Sequence, residues 1–142
     1  MTTVAYRAGA MASDSLWING NGRRDYEAAK LWSGHGLLLG WAGAAPYALG
    51  FRDWLRGGAE GESPQLGGPQ GTEILLSLPD GRLCTVTHDG WEWYHADMAA
   101  IGSGADFALG AMAQGATPEQ AVAHAIRFDT NSGGPVNVVR RC

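Results

Sequence analysis

The stretch that decides the fold is the first one, Met1–Ser15, MTTVAYRAGAMASDS. Thr3-Val4-Ala5-Tyr6 is β-favouring, Ala8-Gly9 is a turn, and Ala10-Met11-Ala12 is a second apolar run. Residues 3–7 and 10–14 therefore predict an antiparallel hairpin. Chains normally leave their first residues loose; a strand that begins at Thr3 would instead hold Thr2 at a set place in the fold. An initiator methionine is normally trimmed when the next residue is small, and trimming would leave Thr2 with a free α-amine beside its hydroxyl. A threonine hydroxyl alone is a poor nucleophile and needs an adjacent base. An α-amine, with an ordinary pKa of about 7.7–8.0, suits that role near neutral pH. A Met-Thr start is common by itself, so its meaning depends on what the rest of the chain places around Thr2.

The 142 residues predict one domain, 1–142, with enough chain to bury a substantial core. A net charge of −4 leaves no electrostatic footprint for nucleic acid. The longest apolar run, GLLLGWAGAA, falls well short of the roughly 20 residues of a membrane helix. There is no basic start followed by an apolar segment, as a secretory signal would require. Cys84 and Cys142 are too few for a disulfide framework. The expectation is a cytoplasmic protein with neither a nucleic-acid nor a membrane partner. Twenty-two glycines favour tight turns and close backbone approach. Lys30 is the single lysine, so any chemistry that needs a lysine must use it.

Outward from the hairpin, Asn19-Gly20-Asn21-Gly22 is a turn cluster, and Gly34-His35-Gly36 turns the chain into the apolar run Leu37–Trp41. Pro46 suits the first turn of a helix on which Tyr47, Phe51, Trp54 and Leu55 form one apolar stripe, ended by Gly57-Gly58. Residues 57–71 carry neither helical nor strand periodicity and predict a flexible loop. Three strands follow over 72–78, 83–88 and 91–95, separated by Pro79-Asp80-Gly81 and Asp89-Gly90. A glycine turn then enters a small-residue helix after Ile101. Thr117-Pro118-Glu119-Gln120 has the form of a capping box for another helix, and Val122, Ala125 and Ile126 give that helix a buried face. Pro135–Val139 closes as a strand. Runs of like elements, rather than strict alternation, indicate an α+β fold with antiparallel sheets.

Few residues suggest chemistry one by one. Cys84 and His88 would share a strand face but have no second ligand pair, so no metal is expected. GSGADFALG lacks the βαβ context of a dinucleotide fingerprint. Trp91 and Trp93 share a strand face and suit core or subunit-interface packing better than a binding platform.

The ordered set is more informative: MTTVAYRAG, MASDS, the lone Lys30, GWAG at 40–43, IGSG at 101–104 and RFDTNSGGPVNV at 127–138. Together these resemble the proteasome β-subunit family, including the bacterial proteasome-like peptidase that works with an AAA+ unfoldase. The family consists of N-terminal-nucleophile hydrolases, and the resemblance spans nearly the whole chain. It implies a four-layer αββα sandwich and threonine-type cleavage of peptide bonds without a cofactor. Matched residue by residue, Thr2 resembles the nucleophile, Asp14 the acidic residue after the first hairpin, and Lys30 the lysine that Asp14 pairs with. A nearby ammonium lowers the proton affinity of both amine and hydroxyl. Gly43 matches the glycine whose N–H stabilises the oxyanion, where a side chain would crowd the arriving carbonyl. Ser103, Asp129 and Ser132 match the group that orients the threonine amine. Trp41 would lie at the substrate pocket and set its size and its taste for apolar side chains.

The resemblance further implies a homo-oligomeric ring acting on unfolded polypeptide or peptides, with an AAA+ unfoldase as a candidate partner. Residues 57–71 stand where the family carries a second long helix, so one helix is expected to be missing. That region lies towards the end of the ring where regulators dock. The stretch from Lys30 to GWAG is slightly shorter than in the family, which leaves open a register that displaces Lys30. Two alternatives remain at this level: a catalytically silent ring or scaffold subunit of the same fold, and an amidase acting on a small molecule. Taken singly, Asp14 and Lys30 would pass for a surface pair, Ser103 for a helix cap, and Ser132-Gly133-Gly134 for a plain turn.

Overall fold

The opening hairpin forms where the residues predict it, with β1 (Val4–Arg7) and β2 (Ala10–Ser13) paired antiparallel in the register Val4↔Ser13. Ala8 and Gly9 both take positive φ at the turn, the geometry that matches the right-handed twist of a two-residue hairpin. The computed structural model describes residues 2–69 and 71–141; Met1, whose removal would free the Thr2 amine, and Cys142 lie outside the described residues.

Two further strands complete this first sheet. β10 (Met98–Ile101) pairs with β1, and β11 (Asn137–Arg140) pairs with β2, giving the order β10-β1-β2-β11. The second sheet runs in sequence order: β5 (Leu31–Gly34), β6 (Leu37–Gly43), β7 (Thr72–Ser77), β8 (Leu83–Thr87) and β9 (Gly90–Tyr94), all antiparallel. A two-stranded ribbon of β3 (Trp17–Ile18) and β4 (Arg24–Asp25) stands apart from both.

Strand alternation sorts the apolar residues into three layers. Val4, Tyr6 and Met11 of the first sheet meet Leu38, Leu75 and Leu83 of the second between the sheets. The opposite face of the second sheet, with Leu39, Ile74, Leu76 and Cys84, packs on Ala48, Phe51 and Leu55 of helix α1 (Ala45–Arg56). The opposite face of the first sheet, with Ala5 and Ala12, packs on α2 (Ala105–Ala113) and α3 (Pro118–Phe128). The result is an αββα sandwich in which a single helix covers one side and two cover the other. Residues 57–71 contribute no helix among the described residues, as their composition predicts.

Helix ends follow local chemistry. Thr117 and Gln120 form the reciprocal capping box: the Gln120 N–H donates to Thr117 Oγ1, and the Thr117 N–H donates to Gln120 Oε1. At the far end of α1, Gly57 and Gly58 donate their N–H groups to the Asp53 and Leu55 carbonyls.

Several expectations need correcting. Tyr47 is 43% exposed and does not join the buried stripe of α1, whose inward residues are Ala48, Phe51 and Leu55. Its ring lies instead against Gly67 of the following loop. Met98–Ile101 and Leu31–Gly34 are strands that periodicity does not reveal, because each is only four residues long and acquires its order from the strand it pairs with, β1 and β6 respectively. Trp91 and Trp93 stack on each other on the outer face of β9, and Trp91 also packs on Phe51 and Trp54 of α1.

Candidate active site

Thr2 lies two residues before β1 and is almost fully buried. Two interactions of the chain around it set its place. Its carbonyl accepts a hydrogen bond from the Gly104 N–H at 3.2 Å. Gly102 presses so close that a Cβ there would run into that same carbonyl, and its φ of +93° is one that glycine tolerates. The β1–β10 pairing thus continues past Ile101 to hold the first described residue.

Asp14 and Lys30 converge on Thr2 from different elements. Asp14 follows β2, Lys30 precedes β5, and both are buried. Lys30 Nζ donates to Asp14 Oδ1 at 2.8 Å and to Thr2 Oγ1 at 3.0 Å. The pair is therefore no surface ion pair. Asp14 is fully committed: Oδ1 also accepts from the Thr3 N–H, while Oδ2 accepts from the N–H groups of Leu16 and Gly133. Lys30 is fixed along its backbone as well, since its carbonyl accepts the Trp41 N–H at 3.1 Å. The register Leu31↔Gly40 sets that contact. Burial pushes the Lys30 ammonium below the usual lysine range, and the charges of Asp14 and Asp129 offset only part of that.

A second chain of hydrogen bonds approaches the Thr2 nitrogen. That nitrogen donates to Ser103 Oγ at 3.2 Å, and Ser103 Oγ donates to Asp129 Oδ2 at 2.6 Å. Ser132 donates to the same carboxylate oxygen at 2.6 Å, and the Asn131 N–H binds Oδ1. Ser132 does not reach Thr2; its other partner is the Thr3 hydroxyl at 2.7 Å. Burial alone would raise the Asp129 pKa, but the bonds from Ser103, Ser132 and Asn131 outweigh it and hold the carboxyl below the usual range.

Gly43, at the end of β6, has φ +94°, and a Cβ there would run into the carbonyl of Gly71, just before β7. Glycine is thus required by the sheet itself, where crowding of a substrate carbonyl was the expected reason. Gly43 borders the same cavity as Thr2.

These groups open on one cavity of about 520 Å³, lined by Thr2, Lys30, Trp41 and Gly43 and by segments 16–18, 28–29 and 44–46. Trp41 itself is buried, its indole packed into the α1 core. The arrangement offers a hydroxyl beside an ammonium, a nitrogen beside a buried carboxylate relay, a strand-edge N–H, and an apolar pocket. Sequence reasoning missed Thr3 and Gly133, which serve Asp14 through backbone N–H groups that no side-chain motif reveals. Among the described residues no cluster of histidine, cysteine and carboxylate side chains could hold a metal, and no helix is long and apolar enough to cross a membrane.

The layer order is that of the proteasome β-like N-terminal-nucleophile hydrolase fold. The chain is similar over nearly its whole length to HslV from Trypanosoma brucei, with a TM-score of 0.73, 16% identity, and coverage of 97% of both chains. It is similar also to BPH of Thiobacillus denitrificans, with a TM-score of 0.69, 20% identity, and coverage of 99% of this chain and 98% of that one. The same BPH in complex with epoxomicin matches with a TM-score of 0.68 at 20% identity. At these identities the likeness establishes the fold. No protein-family model matches the chain, and no curated protein matches it in sequence.

Proposed function

We propose that this protein is a threonine-type peptidase whose nucleophile is Thr2 once Met1 is removed. The observation that carries this reading is the placement of the single lysine, Lys30, against Thr2 Oγ1 at 3.0 Å. In the proposed reaction Thr2 Oγ1 attacks the scissile carbonyl and its proton passes to the α-amine. The Gly43 N–H stabilises the oxyanion that forms. Collapse expels the amine product, which takes the proton from the α-amine, and leaves an acyl ester on Thr2. Water, deprotonated by the same amine, then adds to the ester and releases a carboxylic acid and the threonine hydroxyl. Lys30 lowers the proton affinity of the hydroxyl, Asp14 holds Lys30, and Ser103 with Asp129 orients the amine. Asp14, Lys30, Gly43, Ser103, Asp129 and Ser132 are assigned these roles within the proposal; the role of Ser132 is to hold Asp129. Ring-like self-assembly and unfolded-polypeptide substrates, with an AAA+ unfoldase as partner, belong to the same proposal through the family resemblance.

The test is the intact mass of the purified protein with and without a peptide epoxyketone such as epoxomicin, which needs both a free amine and the hydroxyl. Loss of one methionine and gain of one inhibitor mass, absent in Thr2→Ala, is the expected result. Retained methionine with no adduct would favour a silent ring or scaffold subunit.

A further inference from the structure

A hydroxyl has one proton to give, and an ionised carboxylate can only accept. Ser103 and Ser132 each lie 2.6 Å from Asp129 Oδ2, so both direct their protons there. The Ser103 oxygen is left to accept, and the Thr2 nitrogen donates to it. The Ser132 oxygen is likewise left to accept, so the 2.7 Å contact with Thr3 runs from the Thr3 hydroxyl to Ser132. Every proton in the chain points towards Asp129, and Thr3 is the donor at its far end. Thr3 is fully buried and Ser132 nearly so, which keeps bulk solvent from replacing that donor. Room for it comes from Gly104, where a Cβ would fall on Thr3 Oγ1 and crowd Asp129 Oδ2.

The backbone of Thr3 serves the other side of the site. Its N–H donates at 3.1 Å to Asp14 Oδ1, the oxygen that takes the Lys30 ammonium, and Lys30 in turn donates to Thr2 Oγ1. We propose that Thr3 is a positioning residue that aligns the base with the nucleophile, its N–H holding Asp14 and Lys30 at the Thr2 hydroxyl and its own hydroxyl ending the chain through Ser132, Asp129 and Ser103 to the Thr2 nitrogen. This rests on the threonine-hydrolase reading and adds a residue to it.

The two duties are separable, because a valine at position 3 keeps the N–H and loses the hydroxyl. Among the described residues, the charged groups on these two chains are Lys30, Asp14 and Asp129. Donation from Thr3 strengthens the Ser132 bond to Asp129 and draws negative charge away from Ser103. Without it the carboxylate favours the protonated amine more strongly, and the amine acts as a base only when neutral.

The experiment measures the rate of epoxomicin adduct formation against pH, with Met1 removal checked by intact mass in each protein. Thr3→Val should lower the maximal rate about tenfold and move the acid limb about 0.5 unit to higher pH. The alkaline limb should stay in place, since the Asp14–Lys30 arm keeps its N–H donor. Thr3→Ser, which returns the hydroxyl, should restore both the rate and the limb. A Thr3→Val protein with the parent's rate and acid limb would overturn the proposal. So would a slowed protein whose acid limb has not moved, or a loss that Thr3→Ser does not repair, since either traces the effect to packing. Thr3→Ala carries the same expectations if Thr3→Val does not fold. No adduct in the parent would overturn the hydrolase reading itself, and the proposal with it.

Discussion

Lys30 Nζ lies 3.0 Å from Thr2 Oγ1, with both residues buried and 28 positions apart in the chain. The same ammonium reaches Asp14 Oδ1 at 2.8 Å, so one buried ion pair has a hydroxyl as its third member. At a surface such a pair would contribute little. Here its cost of desolvation is borne by a carboxylate that accepts four hydrogen bonds and by an ammonium that donates to two oxygens.

Breaking that pair from either side should leave a buried charge uncompensated. Lys30→Met or Asp14→Asn alone is expected to cost roughly 3–5 kcal/mol. The double variant should cost clearly less than the two losses added, because no lone charge remains. Urea unfolding of the four proteins measures this cycle. Additive losses would mean that the two groups are not coupled.

The pH dependence of kcat/KM should be bell-shaped. Once Met1 is removed, the amine must be neutral to accept a proton, so activity rises as the amine deprotonates, below its ordinary range of about 7.7–8.0 because the Lys30 ammonium disfavours the protonated form. Lys30 must stay charged, and burial brings its titration below the ordinary value of about 10.4. Activity is therefore lost on the alkaline side earlier than an unperturbed lysine would give. A peptide-cleavage profile still flat well above about pH 10.4 would separate the Lys30 charge from the reaction.

Asp129 makes the protein sensitive to acid. Its folded pKa is depressed, so its contribution is fully present above the ordinary aspartate value of about 3.9 and is lost as the pH falls through the lower folded value. Asp129→Asn should be less stable than the parent at about pH 6, and the gap should narrow at about pH 3. Paired urea titrations at the two pH values read this directly. A gap that did not narrow would trace the loss to geometry rather than charge.

Gly43→Ala should destabilise the fold before any substrate is involved. The residue would have to hold φ +94° with a Cβ against the Gly71 carbonyl, a strain of about 1–3 kcal/mol. A lowered melting temperature together with loss of epoxyketone labelling is the expected outcome. Unchanged stability with lost labelling would return the glycine to the role of making room for a carbonyl.

Much of the frame was legible because it rests on short-range chemistry. The turn at Ala8-Gly9, the capping box at Thr117, and the glycine stop after Arg56 each use residues within a few positions of one another. Leu37–Trp41 is dense enough in apolar residues to announce a buried strand. By contrast, Met98-Ala99-Ala100-Ile101 has low strand propensity in its middle and becomes a strand because β1 offers it an edge. Tyr47 shows the converse: an aromatic residue at helical spacing that lies outside the inward line of α1.

By itself, the sequence determined an α+β sandwich of antiparallel sheets and narrowed the candidate chemistry to a threonine, a lone lysine and a few carboxylate and serine positions. The tertiary structure alone decided which of these touch. Asp14 and Gly133 are 119 residues apart, and Thr2 and Ser103 are 101 apart, yet each pair is in hydrogen-bond contact. Local propensity carries no information across such separations. Those contacts arise because burying Val4, Met11, Leu38 and Leu75 between two sheets fixes the register of every strand, and the register then brings the strand ends together around Thr2.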